Sequence, residues 1–139
     1  MNYWLFVETY HNWIQDEINE FRYMGIAISK FKQKGIKKDD KFITYISKKK
    51  KISDLRIIID DKLCDCPKTL NYDREFTKVI KTRLVTKIEK NNWINFDQFV
   101  KQLEIFKDKA KPGLVLINAP VLLPINDFKY LQSLINKKN

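Results

Sequence analysis

Residues 3–8, YWLFVE, form a short apolar run bounded by polar residues, the pattern of a buried strand. The polar stretch that follows offers Thr9 or Asn12 as a helix cap. Trp13, Ile14, Ile18 and Phe21 then recur at helical spacing over an acidic opposite face, which predicts a short amphipathic helix. YMGIAIS at 23–29 reads as a strand with Gly25 inside it, where a glycine marks either close packing or a close backbone approach to a ligand. A turn at 37–40 leads into an alternating strand at 41–47. Lys48 to Lys51 form a solvated tip, and LRIIID at 55–60 is the returning strand.

Neither periodicity holds from Asp61 to Lys78, so a long loop is expected there, of a length that usually carries function. VIKTRLVTKIEK at 79–90 alternates β-branched and basic residues, a strand with one basic face. Trp93, Phe96, Phe99, Val100, Leu103 and Phe106 predict a short helix that Asp97 helps begin, and Pro112-Gly113 breaks the chain before LVLINAPVLLP. A last helix is expected from Asn126 as its cap, through Phe128, Leu131, Leu134 and Ile135, to a basic end that suits the helix dipole. Trp4, Trp13 and Trp93 are assigned to the core. The order β-α-β-β-β-loop-β-α-α predicts an α+β fold, one domain over residues 1–139, with a strongly curved mixed sheet or small barrel.

Composition narrows the function. With 44% hydrophobic and 13% aromatic residues and only three Gly, the chain is a packed globule with more rings than a core requires. Lys plus Arg number 27 against 17 acids, a net charge of +10, which favours a polyanionic partner. The charge is uneven. Residues 1–29 hold four acids and one Arg, whereas 30–51 hold ten Lys against Asp39 and Asp40. No apolar run approaches a membrane span, so a soluble, cytoplasmic protein is expected. Cys64 and Cys66 are too close for an unstrained disulfide and too few for a zinc site, and read as free thiols in a loop. His11 is the only histidine, which excludes a His/Cys metal constellation and leaves a nucleophilic triad one residue to use. Gly35 and Gly113 are isolated, so no phosphate-cradling glycine loop exists. The pairs Asp39-Asp40 and Asp60-Asp61 read as turn formers; a two-metal nuclease would need a third ligand beside them. No cofactor and no catalytic residue are expected.

YWLFVET followed by HNW, then YMGIA and GIKKDDKFITYIS, resembles the start of EVE-domain proteins of the PUA-like superfamily, relatives of the YTH readers of methylated adenine. FDQFVKQLEIFKDKAKPGLVLINAPVLLPINDFKYLQSLI is similar to that family's closing pattern of a short helix, a proline-marked turn and a final helix. The resemblance implies a PUA-like pseudo-barrel, a curved mixed sheet flanked by short helices, with a pocket for an extruded base. It departs from the family at Met24, where an aromatic precedes the strand glycine, and at Val121, where many members carry Arg. Carried over, it assigns the base pocket to Tyr10, Met24, Gly25, Ile26, Tyr72 or Phe76, and Asn118. Phosphate contacts would come from Lys30, Lys32, Lys34, Lys48, Lys49, Lys50, Lys51, Lys81 and Arg83. The function implied is a non-catalytic reader of a modified, chiefly methylated, base in DNA or RNA, monomeric as an isolated domain. It would be free-standing or the recognition domain of a McrB-type restriction protein that works with an AAA+ motor and a nuclease. An RNA-binding accessory module without modification selectivity is the alternative. A metal-dependent nuclease or nucleotide hydrolase using Asp60 or Asp61 stands third.

Overall fold

A computed structural model of the chain describes residues 1–73 and 76–138. The elements run β1 (Tyr3–Glu8), α1 (Tyr10–Ile18), β2 (Tyr23–Gly25), α2 (Ile28–Lys34), β3 (Lys41–Ile46), β4 (Lys51–Ile58), β5 (Cys64–Asp65), β6 (Lys78–Lys87), β7 (Ile94–Asn95), β8 (Val121–Leu122) and α3 (Ile125–Lys137). This is an α+β fold. One mixed sheet has the order β2-β6-β4-β3-β1-β8, with β5 attached to β6 and β7 to β4. β1 and β3 are parallel, because α1, β2 and α2 intervene as a crossover, and the other pairings are antiparallel.

β1 is apolar from Tyr3 to Val7 because both of its faces are covered, and it ends in the buried Glu8. Leu5 enters a core under α1 and α3 with Trp13, Ile43, Trp93 and Phe128. Trp4 and Phe6 point the other way, into a smaller core with Met24, Ile36, Phe42 and Ile80. Trp4, Trp13 and Trp93 are all buried.

Several expected elements differ. The strand expected at 23–29 stops at Gly25, and 28–34 is the helix α2. The run ISKFKQK has straight-chain Lys and Gln residues that favour helix, Phe31 packs on the second core, and Gly35 closes the helix at φ 70. The helix expected over 96–106 is two single 3-10 turns, Phe96–Gln98 and Glu104–Phe106. Packing overrides helical spacing here: Phe96 meets Tyr45, Phe99 and Phe106. Asn95 caps the first of these turns in a capping box with Gln98, and Asp97 lies within that turn, where its charge suits the helix dipole. Pro112–Asn118 is also 3-10. The last helix starts two residues early: Pro124 is its cap position, Asn126 lies inside it, and Asp127 instead accepts bonds from the Glu104 and Ile105 N–H groups. Cys64 belongs to β5 rather than to a loop, and Lys51 begins β4 rather than ending the tip. Both thiols are free.

Among the described residues, no helix is long and apolar enough to cross a membrane.

Candidate functional site

The face of α1 that the sequence pattern leaves to solvent is the docking surface for the long loop after β5. Asn71 N–H donates to Gln15 Oε1, Asp73 N–H donates to Asn12 Oδ1, and Thr9 Oγ1 donates to Asp73 Oδ2. His11 Nε2 lies 2.7 Å from the Asn71 carbonyl, so the single histidine fastens the loop. Tyr72 reaches deepest, its hydroxyl donating to Asp16. Asp16, expected on an exposed acidic face, is fully buried.

Asp16 belongs to a buried ionic group below the loop. Arg56, with no exposed side-chain surface, donates from Nε to Asp54 (2.8 Å), from one terminal nitrogen to Asp16 (2.9 Å) and from the other to Glu8 (3.0 Å). The guanidinium also lies 4.9 Å from the centre of the Phe21 ring. Trp13 Nε1 and Ser53 Oγ donate to the second Asp54 oxygen, which also accepts from the Arg56 terminal nitrogen that meets Glu8, at 3.1 Å. Three carboxylates surround one guanidinium, so a proton is retained. Burial, and next the neighbouring Asp16, push the Glu8 carboxyl well above the usual range; burial likewise raises Asp16. Burial and then the Asp16 charge raise Tyr72, which stays a neutral donor. Burial opposes the charge on Arg56, but Asp54, Asp16 and Glu8 outweigh it.

The sign of the resulting pH dependence follows from linkage. Native Glu8 holds its proton to higher pH than unfolded Glu8, so this group's stabilisation is complete below the unfolded value of about 4.3. It is lost as pH rises through the folded value. Glu8→Gln keeps a neutral acceptor for Arg56 and a donor for Asp16. Thermal melts from pH 4 to pH 9 should therefore show the variant gaining on the native chain as pH rises. Parallel curves would refute the buried proton.

Above this group is a cleft of about 280 Å³, lined by Val7, Glu8, Thr9 and Asn12 from β1 and α1, Met24 and Gly25 from β2, Ser47 after β3, and Tyr72, Asp73 and Phe76 from the loop. The Tyr72 and Phe76 rings meet edge to face, centroids 5.6 Å apart at 88°. Phe76 also borders a second cleft of about 320 Å³ with Phe6, Ile26, Ala27, Lys30 and Pro120, which follows a cis Ala119-Pro120 bond. Gly25 is what admits the rings: a Cβ there would lie 2.6 Å from two Phe76 ring carbons and 3.1 Å from Tyr72. Gly25→Ala should displace Phe76 and cost about 1–3 kcal/mol by overpacking. Chemical denaturation reads that loss, and an unchanged midpoint would mean that Phe76 yields freely.

The candidate pocket residues Met24, Gly25, Ile26, Tyr72 and Phe76 thus gather around two adjoining clefts. Tyr10 and Asn118 do not line them. Tyr10 stacks on Trp13, 6.3 Å between centroids and 8° between planes, and also meets Trp93, because α1 turns it toward the main core. Asn118 ends the 112–118 turn with its side chain exposed. Of the basic candidates, Lys30 lines the second cleft, and Lys48, Lys49 and Lys50 are exposed on the β3–β4 tip that follows Ser47. Lys49 Nζ lies 4.4 Å and Lys90 Nζ 5.3 Å from the centre of the Tyr10 ring. Lys32 and Lys34 occupy the last turn of α2, and Lys81 and Arg83 lie on a different surface. Asp40 is spent inside the protein, accepting from Asn2 N–H, Trp4 Nε1 and Lys37 N–H. Asp60 and Asp61 accept from the Lys62 and Lys38 N–H groups. Among the described residues, no group of three or more His, Cys, Asp or Glu side chains is arranged to hold a metal ion.

Sequence reasoning missed the polar edge, Glu8, Thr9, Asn12, Ser47 and Asp73, and the Arg56 group below it. One signal was available: Arg56 interrupts the apolar run LRIII, and a strand with both faces covered can hold an arginine only against buried acids.

No protein-family model matches the chain, and no curated protein matches it. Solved structures do. The YTH domain of the Zygosaccharomyces rouxii MRB1 protein, in complex with N6-methyladenosine RNA, is similar at a TM-score of 0.71 and 10% identity, over 99% of this chain and 88% of that one. The Pho92 YTH domain in complex with m6A gives 0.70 at 11% identity, over 99% and 85%. A hypothetical protein from Leishmania major gives 0.66 at 12%, over 99% and 96%. The fold is therefore that of YTH domains, a curved mixed half-barrel with a few short helices.

Proposed function

We propose that the chain binds nucleic acid and takes a single modified base, methylated in the first place, into the cleft walled by Tyr72, Phe76, Met24 and Gly25. The cleft itself carries this reading. Two rings at right angles, a thioether and a backbone stretch without a side chain enclose about 280 Å³. Ligand pockets run roughly 300–1,000 Å³, so this one suits one base rather than two. Leaving the stack costs a base a few kcal/mol, and an aromatic wall returns about 1–3 kcal/mol per base.

The edge supplies direction. Asn12 Oδ1 is occupied by the Asp73 N–H, so its amide nitrogen is oriented to donate to a base. Lys48, Lys49 and Lys50, on the tip that follows the cleft-lining Ser47, and Lys30 on the adjoining cleft suit the flanking phosphates. The N6-methyladenosine complexes of the like-folded MRB1 and Pho92 domains support a ligand with a small added group. In DNA, the same recognition would serve a modification-dependent restriction protein, with an AAA+ motor and nuclease acting after it. A second reading, an RNA-binding accessory module without modification selectivity, is favoured by the position of Phe76. Its ring lies on Gly25 between the two clefts and keeps each of them small.

Fluorescence anisotropy at fixed salt decides between them, using matched single-stranded and duplex oligonucleotides with unmodified, methylated-adenine, methylated-cytosine or hydroxymethylcytosine bases. Base reading predicts a preference of at least tenfold for one modification, about 1.4 kcal/mol. Uniform, salt-sensitive binding would leave the accessory reading.

A further inference from the structure

A further hollow shares no lining residue with the clefts around Phe76. About 480 Å³ in volume, it lies on the outer face of β2 and β6 beside the end of β4, among Arg22, Tyr23, Ile59, Lys81 and Arg83, with Glu20 as the one acid in its lining. Its composition follows from strand geometry. β6 turns Thr82 inward and Lys81 and Arg83 outward; Tyr23 is in register with Lys81, and the Ile59 N–H donates to the Lys81 carbonyl.

We propose that this hollow is a second nucleic-acid site, which holds a single strand by its phosphates and packs a base against Tyr23 and Ile59. Three cations meet here. Arg83 makes no ion pair among the described residues, while Arg22 with Glu20 (3.4 Å) and Lys81 with Asp60 (4.0 Å) form loose, exposed pairs. Such pairs contribute little and exchange readily for phosphate. Lys81 and Arg83 project from the same face about 6–7 Å apart along the strand, a step that lets each take a successive phosphate. Ile59 is 43% exposed next to the half-buried Tyr23 ring, so apolar and aromatic surface lies among the charges. Cationic groove plus ring is the combination that binds single strands without regard to sequence. The site stands whether or not the Phe76 cleft reads a modified base.

The test is anisotropy of the full chain and of K81E/R83E with unmodified single strands of 4 to 20 nucleotides across a salt series. Both substitutions fall on exposed side chains, and a thermal melt verifies folding. The native chain should tighten with length. The variant should bind the longer strands at least tenfold more weakly, and its salt slope should fall by about 1.4, two phosphates at roughly 0.7 each. Phe76→Ala should keep the full slope, which separates this site from the base cleft. Equal slopes and affinities for native chain and variant would overturn the proposal, as would a failure to bind any strand. Binding of polyglutamate that K81E/R83E abolishes, in place of nucleic acid, would also overturn it and point to an acidic protein.

Discussion

Arg56→Ala should leave the protein barely folded. The substitution removes the one cation in a site from which water is excluded and strands Glu8, Asp16 and Asp54 together. Breaking a single buried pair costs about 3–5 kcal/mol. A domain's whole stability is roughly 5–15 kcal/mol. The melting temperature should drop by about 10–20 °C, or the chain should fail to fold. Arg56→Lys should recover little, because one ammonium cannot meet three carboxylates arranged around a planar fork. A fall of less than about 3 °C for Arg56→Ala would show that water or protonation compensates the acids, and the account of this group would be wrong. The loss should also reach the cleft: Arg56 fixes Glu8 on its lining, lies 3.6 Å from the Met24 sulfur, and holds the Asp16 carboxylate that receives Tyr72.

Phe76→Ala should abolish most discrimination between modified and unmodified strands while the protein remains folded. Phe76 is half-buried and stands on the loop rather than in either core. Its removal joins the two clefts and takes one wall from the base, a loss of about 1–3 kcal/mol, or roughly 5- to 150-fold in affinity. Affinity for an unmodified strand should change far less, because the Lys48–Lys50 tip proposed to meet the phosphates is untouched. Parallel titrations of the preferred modified strand and its unmodified match supply the comparison, with denaturation as the control for folding. An equal loss for both strands would place Phe76 outside base recognition and favour the accessory reading.

The elements whose fate depends on near neighbours in the chain were legible in the sequence. β1, the Thr9 cap of α1, the β3–β4 hairpin and the basic outer face of β6 follow from alternation, capping and turn residues. α2 was hidden because Ile26 and Ile28 continue the alternation of Met24, although no strand partner extends beyond the Gly25 pairing with Val79. The 96–106 segment was misjudged for a related reason: helical spacing of Phe96, Phe99 and Phe106 served a ring cluster that needs no helix.

What the sequence determined by itself was an α+β chain with a curved mixed sheet, an excess of basic charge after residue 29, and a largely irregular stretch after residue 65 that carries the rings of Tyr72 and Phe76. Tertiary structure alone decided where that loop lies. Its anchors, Gln15, Asn12 and Asp16, are about 55 to 60 positions distant along the chain and look like solvated polar residues of an amphipathic helix. Periodicity reports that a face is polar, but not whether water or another segment will satisfy it. The same holds for Arg56, whose three acids come from β1, α1 and β4. A buried charge is stable only where separate segments converge on it, and that convergence is a property of the fold.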